Sequence, residues 1–374
     1  MSPPKISVLM PLYRNPNTVR RAIRSILKQT HADFELIIVE NGSDEKTRAA
    51  VRSISDERMR LFSLPDPGIV PALNLGLQYA RGEYIARMDA DDFSHPRRLE
   101  LQAQALDRCP RLTLISSLVR FRSRLNAAGF ARYVDWQNGL QSHRDIVLGQ
   151  FIESPLVHPS VMFRRSAVEA VGGYRNGDFP EDYDLWLRLL AAGAAMRKLP
   201  ETLVVWRDHS ERLTRNDRRY YEKAFHALKA PYLSRFVSQR IHRDPTATED
   251  GVTHSPEPGR KLVIWGAGKL SRRFSSLLLD HGLEIAAYID IDPRKIGRQV
   301  RGQPVLPPES LRNDLPEALP EVLSQEPPGD PRLFTDGQRP FVLSYVAGGE
   351  ARGLIAERLE SYGFRPGRDF LMAA

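Results

Sequence analysis

The stretch YIARMDADD, Tyr84 to Asp92, ends an apolar run in a knot of carboxylates: Asp89, Asp91 and Asp92. Asp89 and Asp91 stand two apart, so a strand continued through them turns both side chains to one side. Ligands that are all oxygen suit a hard cation, Mg²⁺ or Mn²⁺, which keeps its waters and bridges to phosphates. Such an ion neutralises charge that builds on a diphosphate leaving group. The competing reading is an acidic loop capping a helix that starts at Pro96, and for so short a motif both readings stand. A second motif lies in the last third of the chain. Gly266-Ala267-Gly268-Lys269-Leu270-Ser271 follows the apolar run LVIW and opens a helical pattern, the setting a dinucleotide fingerprint requires. Asp290 ends the next apolar run, where a ribose-binding acid belongs. Ser271 replaces the third glycine or alanine, so the fingerprint is imperfect.

The chain that must position these residues has 374 of them, which points to two domains. With 41% hydrophobic and 27% charged residues it is neither collagen-like, mucin-like nor wholly disordered. One cysteine, Cys109, excludes an intramolecular disulfide framework and a Cys-only zinc site, and fits a reducing, cytoplasmic setting. No apolar run approaches the roughly 20 residues that span a bilayer. The N-terminus MSPPKISVLMPLYRN lacks a signal-peptide layout. A net charge of +8 favours anionic partners. No nucleic-acid-binding module accompanies it, so nucleic acid is not an expected partner.

Ile6 to Tyr13 reads as a buried strand, followed by a helix from Asn15 with Pro16 in its first turn. Strands at Glu35 to Glu40 and Met59 to Leu64 continue the pattern. So do a helix over Ala72 to Ala80, closed by Gly82 as C-cap, and a strand at Tyr84 to Met88. This βαβαβ alternation predicts a largely parallel sheet covered on both faces. Ligands of such sheets sit beyond the carboxyl ends of the strands, which makes Tyr13, Glu40 and Asp89 to Asp92 neighbours in space. Further on, Val157 to Arg165 reads as a strand and Asp182 to Ala192 as a helix. Residues 216–243 form a basic amphipathic segment with Tyr221, Phe225, Leu228, Tyr232 and Phe236 at helical steps, interrupted by Pro231. A helix covering the first domain is the first reading of that segment. An in-plane contact with an anionic membrane is the second. Residues 244–259 read as a linker and 313–340 as a long loop, leaving 260–374 as a small second α/β domain.

The ordered segments SVLMPLY, LIIVENGS, ALNLGLQYARGEYIARMDADDFSHPRRLE, HPSVMFRRSAVEAVGGYR, PEDYDLWLRL and WRDHSERLT carry a resemblance. Through them residues 1–215 resemble a family 2 glycosyltransferase of the GT-A fold, a doubly wound, mostly parallel Rossmann-like sheet. The tail resembles Rossmann-like domains attached to bacterial sugar-modifying enzymes. The first resemblance implies that Pro11, Tyr13 and Glu40 hold the nucleotide base and that Asn74 follows the base and ribose. Glu40 stands where the family usually has Asp, and Arg14 where it often has Asn. Asp89 would face the ribose, and Asp91 the metal and diphosphate; Asp92 is a spare carboxylate without a stated role. Glu181 and Asp182 resemble the family's acidic pair, with Asp182 as general base and Glu181 as a positioning residue. An acceptor hydroxyl must lose its proton as it attacks the anomeric carbon. Spacing alone makes the same pair first-turn acids of the helix DYDLWLRLL. His209 would be a third metal ligand or a donor to phosphate, against the reading of an exposed loop histidine. His158 is read as a core histidine rather than as a liner of the sugar pocket.

By resemblance, the expected activity is inverting, divalent-cation-dependent (Mn²⁺ or Mg²⁺) transfer of one sugar from a nucleoside diphosphate, UDP first. The acceptor would be a hydroxyl of a glycan or lipid-linked saccharide, in bacterial surface polysaccharide assembly. The protein would act in the cytoplasm, or peripherally at the inner face of the cytoplasmic membrane. The QxxRW segment of processive relatives is absent. Two alternatives are a sugar nucleotidyltransferase and a non-catalytic scaffold. The first normally opens with a glycine-rich basic loop, which PLYRNPN is not; the second sits poorly with Asp89, Asp91 and Asp182 all in place. In the tail, Gly266, Gly268 and Asp290 leave NAD(P) binding beside a docking or oligomerisation role. No hydride-transfer substrate site accompanies them, so the chain is not read as a dehydrogenase.

Overall fold

The computed structural model describes residues 3–242, 259–312 and 339–374. The chain divides into two compact units, 1–150 with 154–225 and 151–153 with 226–374. The expected linker 244–259 and loop 313–340 fall almost entirely outside the described residues.

The first unit is built on eight strands: β1 (Ile6–Leu12), β2 (Phe34–Asn41), β3 (Met59–Leu64), β4 (Tyr84–Arg87), β5 (Phe93–Ser94), β6 (Leu112–Ser123), β7 (Met162–Arg164) and β8 (Ala195–Asp208). They lie in the order β3-β2-β1-β4-β7-β6-β8-β5. Pairs β1–β2, β1–β4, β2–β3 and β6–β8 are parallel; β7 and β5 run against their neighbours. Helices α1 (Val19–Leu27), α2 (Glu45–Arg52) and α3 (Ile69–Tyr79) alternate with the first four strands. After them come α4 (Arg98–Arg108), α5 (Ala128–Gly139), α6 (His143–Gly149), α7 (Arg165–Ala170), α8 (Glu181–Ala191) and α9 (Leu213–Asn216). β1 and β2 are buried along their whole length, as strands covered by helices on both faces must be. α1 lays Val19, Ala22, Ile23 and Ile26 into the same core as Ile6, Val8, Met10, Leu36 and Ile38. Leu12 of β1 faces Glu40 of β2, and Leu9 faces Arg87 of β4, so three strand ends open onto one edge.

Some expectations need correction. α1 starts at Val19, not Asn15, because residues 15–18 first make a turn in which Thr18 N–H and Val19 N–H both donate to Asn15 O. Val157 to Arg165 is not one strand. Pro159, without an N–H, sits in a 3₁₀ turn, His158–Ser160, before β7. Gly82 is not a C-cap: α3 closes at Ala80. Gly82 is small because the chain crosses β1 there. A Cβ on it would lie 2.5 Å from the Ser7 nitrogen and 2.7 Å from the Ile6 carbonyl carbon. Its N–H also donates to Ser7 Oγ at 2.9 Å.

In the second unit, α10 (Glu222–Ile241) contributes its residues from His226 onward. Pro231 does not interrupt the helix, because burial of Leu228, Leu233, Val237 and Ile241 offsets the lost hydrogen bond. The expected segment 216–243 is thus shared between the units at residue 225. Lys229 Nζ donates to Phe151 O at 2.6 Å and Ala373 O at 2.8 Å, which ties residues 151–153 into this unit. Its strands are β9 (Leu262–Trp265), β10 (Ile285–Ile289), β11 (Gln299–Val300), β12 (Gln303–Leu306), β13 (Phe341–Ser344) and β14 (Phe370–Met372), with helices α11 (Lys269–Leu279) and α12 (Gly349–Ser361). The sheet order is β11-β12-β10-β9-β13-β14, parallel except for β11.

The crossing at Gly82 is a stability prediction. Gly82→Ala forces backbone apart and should lower unfolding free energy by about 1–3 kcal/mol, read as a lower urea midpoint at unchanged slope. An unchanged midpoint would contradict the close approach.

Candidate active site

Just beyond β4 the chain turns, and one oxygen each of Asp89, Asp91 and Asp92 lies within 4.8 Å of the others. Two buried guanidinium groups hold this charge. Arg87, at the end of β4, donates to Asp89 Oδ1 at 2.5 Å. Arg212 places Nη2 3.3 Å from Asp89 Oδ2, and Nη1 3.8 Å from both Asp91 Oδ2 and Asp92 Oδ1. The Arg212 guanidinium lies over the Trp206 ring at 4.4 Å. Phe121 of β6 and Phe130 and Tyr133 of α5 pack around that ring in turn. His209 Nε2 is 2.8 Å from Asp91 Oδ2, and Arg207 N–H donates to Asp92 Oδ1 at 2.7 Å.

The three carboxylates are not equivalent. Burial pushes Asp91 up, but Arg212 and the His209 hydrogen bond hold it below the ordinary range. Asp92, buried beside the Asp91 charge, is pushed well above it. Its Oδ2 is buried without a partner among the described residues. An oxygen-only cluster with an orphaned acceptor fits a hard divalent cation, with Asp89, Asp91 and Asp92 as the residues that would hold it. His209 reaches the cluster through Asp91. Asp92, given no role by the sequence, belongs to it.

Glu181 and Asp182 open α8, but neither caps it; its N-cap is Pro180. Burial raises the Glu181 carboxyl, whose Oε2 accepts from Tyr220 Oη at 2.7 Å. Burial and then the Glu181 charge push Asp182 up to about 8. Arg87 acts on both acids as well as on Asp89, so one cation couples the two carboxylate groups.

The remaining sequence candidates separate. Pro11 and Tyr13 lie at the end of β1 beside Glu40 of β2. Tyr13 is exposed and stacks under Arg14, whose backbone is left-handed at φ 45. Asn adopts that conformation more readily than Arg does. Glu40 keeps Oε2 3.5 Å from Arg48 Nε while Oε1 is a buried acceptor without a partner among the described residues. Asn74 bonds the backbone of Tyr174. Its amide donates to Tyr174 O at 2.8 Å and accepts from Tyr174 N–H at 3.0 Å, so it ties α3 to the segment that carries Tyr174. His158 is buried, neutral and bonded to Tyr174 Oη at 2.8 Å, a core histidine. In the second unit Gly266 is left-handed at φ 103 and Gly268 is the N-cap of α11. Asp290 is occupied: Oδ2 accepts from Ala267 N–H and Lys295 Nζ, and Oδ1 from Asp292 N–H.

Arg87, Arg212 and Tyr220 were not singled out from the sequence. Arg212 lies inside WRDHSERLT, but only the folded chain shows that it meets Asp89.

The Glycosyl transferase family 2 model matches residues 7–172. The chain is 33% identical over 230 residues to the O-antigen biosynthesis glycosyltransferase WbnJ of Escherichia coli, covering 60% of this chain and 87% of that protein. It is 29% identical over 245 residues to the UDP-Gal:alpha-D-GlcNAc-diphosphoundecaprenol beta-1,3-galactosyltransferase of E. coli, covering 62% and 86%. The crystal structure of S. aureus TarS 1-349 in complex with UDP-GlcNAc superposes with a TM-score of 0.51 at 16% identity, covering 65% of this chain and 74% of that one. That likeness establishes the fold, the mixed α/β sheet of GT-A enzymes. With strand ends and acidic cluster gathered on one such sheet, and with WbnJ covered over most of its length, this chain belongs to the family 2 glycosyltransferases.

Proposed function

We propose that the protein transfers a single sugar, with inversion, from a nucleoside diphosphate sugar, UDP-linked first, to a hydroxyl of a glycan or lipid-linked saccharide. The observation that carries this reading is the cluster of Asp89, Asp91 and Asp92, with oxygens within 4.8 Å of one another, and a buried acidic pair whose Asp182, raised to about 8, feels the same Arg87 that binds Asp89. A base poised near neutral pH is what an attacking hydroxyl needs. Glu40 Oε1, a buried acceptor awaiting a donor, suits an N–H of the base. Asp182 accepts the proton of the acceptor hydroxyl as its oxygen bonds to the anomeric carbon. The bond from that carbon to the diphosphate oxygen breaks on the opposite side, which inverts the configuration. A divalent ion held by Asp89, Asp91 and Asp92 would supply charge neutralisation for the departing diphosphate. Arg212 and His209, already against those carboxylates, would donate to diphosphate oxygens. Names among the relatives, O-antigen biosynthesis and a diphosphoundecaprenol acceptor, support surface polysaccharide assembly on a lipid carrier. No helix of the described residues is long and apolar enough to cross a membrane.

Proton NMR of the product sugar tests the stereochemistry: inversion at the anomeric centre is expected, and retention contradicts the role of Asp182. Asp182→Asn should cut kcat about 10²–10⁴-fold while leaving donor affinity in place. The wild-type kcat/KM should rise with pH and level off above about 8, because the base acts deprotonated. Stability runs the other way. A folded-state pKa raised above the unfolded value favours the neutral form, so that contribution is full below pH 4 and lost as pH rises through about 8. Asp182→Asn, free of that loss, should melt a few degrees above wild type at pH 9 and no higher at pH 4. Arg212→Ala strips a cation from three carboxylates and should cost about 3–5 kcal/mol. Millimolar Mn²⁺ should recover more of the melting temperature in that variant than it adds to wild type; equal shifts in both would contradict the cluster as a cation site.

A further inference from the structure

We propose that Tyr220 is a positioning residue for the transfer: its hydrogen bond to Glu181 decides that Asp182, and not its neighbour, exchanges the proton. The inference rests on Asp182 as the base proposed above and says what makes it the base. Glu181 and Asp182 are the first two residues of α8, so the chain offers two carboxyls side by side. Glu181 is 3% exposed, whereas Asp182 is half-buried. Two acids this close do not ionise together readily, and burial by itself leaves the shared proton on the more buried one. That acid is Glu181. Asp182 would then lose its proton early and act as a weak base.

Tyr220 reverses that order. Its Oη donates to Glu181 Oε2 at 2.7 Å, a charge-assisted bond that favours the ionised form. Asp182 Oδ1 accepts instead from a backbone group, Tyr183 N–H at 2.8 Å. The Tyr220 bond is the largest influence that offsets burial at Glu181. The Glu181 charge is in turn the largest influence after burial that keeps the proton on Asp182. Tyr220 is itself held far above the ordinary phenol range by burial and by the two acids, so it remains a donor. A 3₁₀ turn, Arg218–Tyr220, sets it in place, with the N-cap Asp217 accepting from Arg219 N–H at 3.0 Å. The other groups facing the pair are Arg87 at the end of β4, Tyr174 between α7 and α8, and Arg219 beside Tyr220. Arg87 acts on both acids and does not choose between them; Arg219 acts on Glu181 in the same sense as Tyr220. Tyr174 is held neutral by burial, its hydroxyl bonded to His158. In the transfer the acceptor hydroxyl gives its proton to Asp182 as its oxygen bonds to the anomeric carbon, and the diphosphate leaves with the bonding pair. Tyr220 keeps its own proton throughout.

Carbon NMR of the full chain, labelled at the Asp and Glu carboxyl carbons and freed of divalent cations by chelation, reads both acids without donor or acceptor. Glu181→Gln and Asp182→Asn assign the two signals. In Tyr220→Phe the Glu181 midpoint should rise and the Asp182 midpoint should fall, each by about one pH unit, tenfold in proton affinity. A hydroxyl that served only packing would, when lost, admit water to both acids and move both midpoints down together. Parallel shifts, or none, would overturn the proposal. If Tyr220→Phe does not fold, Glu181→Gln carries the test: the Asp182 midpoint should fall by about one unit, and an unmoved one would overturn it. Kinetics separates this inference from the reading beneath it. A reduced kcat in Asp182→Asn with unmoved midpoints in Tyr220→Phe would leave the base and strike Tyr220 alone. Opposed shifts with undiminished kcat in Asp182→Asn would fail the base assignment, and the role of Tyr220 in transfer with it.

Discussion

Three carboxylates packed together at a strand end repel one another, and the two buried guanidinium groups among them are what make the arrangement tenable. Arg87 reaches Asp89 from β4; Arg212 reaches Asp89, Asp91 and Asp92 from the segment after β8. Taking such ions out of water costs several kcal/mol each, recovered only with good geometry and further hydrogen bonds. Much of the surrounding structure supplies that geometry. The aromatic group on β6, α5 and β8 fixes Trp206, on which Arg212 stacks. Arg98, wholly buried and lowered to about 9 by burial and by Arg87, donates to the Arg87 and Val161 carbonyls and so fixes the backbone from which the cluster hangs.

The acidic pair on α8 has the opposite balance. Burial is not matched by comparable cations, so Glu181 and Asp182 rise where Asp91 falls. Asp91 thus stays charged while Asp182 can take a proton near neutrality, the division of labour that acid–base chemistry exploits. Tyr220 and Arg87 keep the raised pair from being isolated charges.

The sheet was legible because β1, β2 and β4 are short, buried and apolar, and because a parallel α/β order puts their carboxyl ends together. Asp89, Asp91, Glu181 and Asp182 were legible as acids at element ends. What the sequence concealed depends on distant partners. Arg212 meets Asp89 across 123 positions, and Asn74 meets Tyr174 across 100, with no local pattern announcing either. Gly82 looked like a helix terminator, whereas its size answers to the backbone of β1. Asp290 was legible as an acid at a strand end, but that its oxygens accept from Ala267, Asp292 and Lys295 was not. Proline at 231 reads as a break in any window, but helix continuity there is decided by the face buried behind it.

The central claim is that a nucleoside diphosphate and a divalent cation meet at Asp91. Thermal unfolding with UDP, GDP, CDP and dTDP, each with and without Mn²⁺, in wild type and in Asp91→Ala, tests it most directly, since a ligand of the folded state raises the midpoint by mass action. The account predicts a rise with UDP that needs Mn²⁺ and disappears in Asp91→Ala. A UDP shift that survives the substitution, or one indifferent to Mn²⁺, would contradict it.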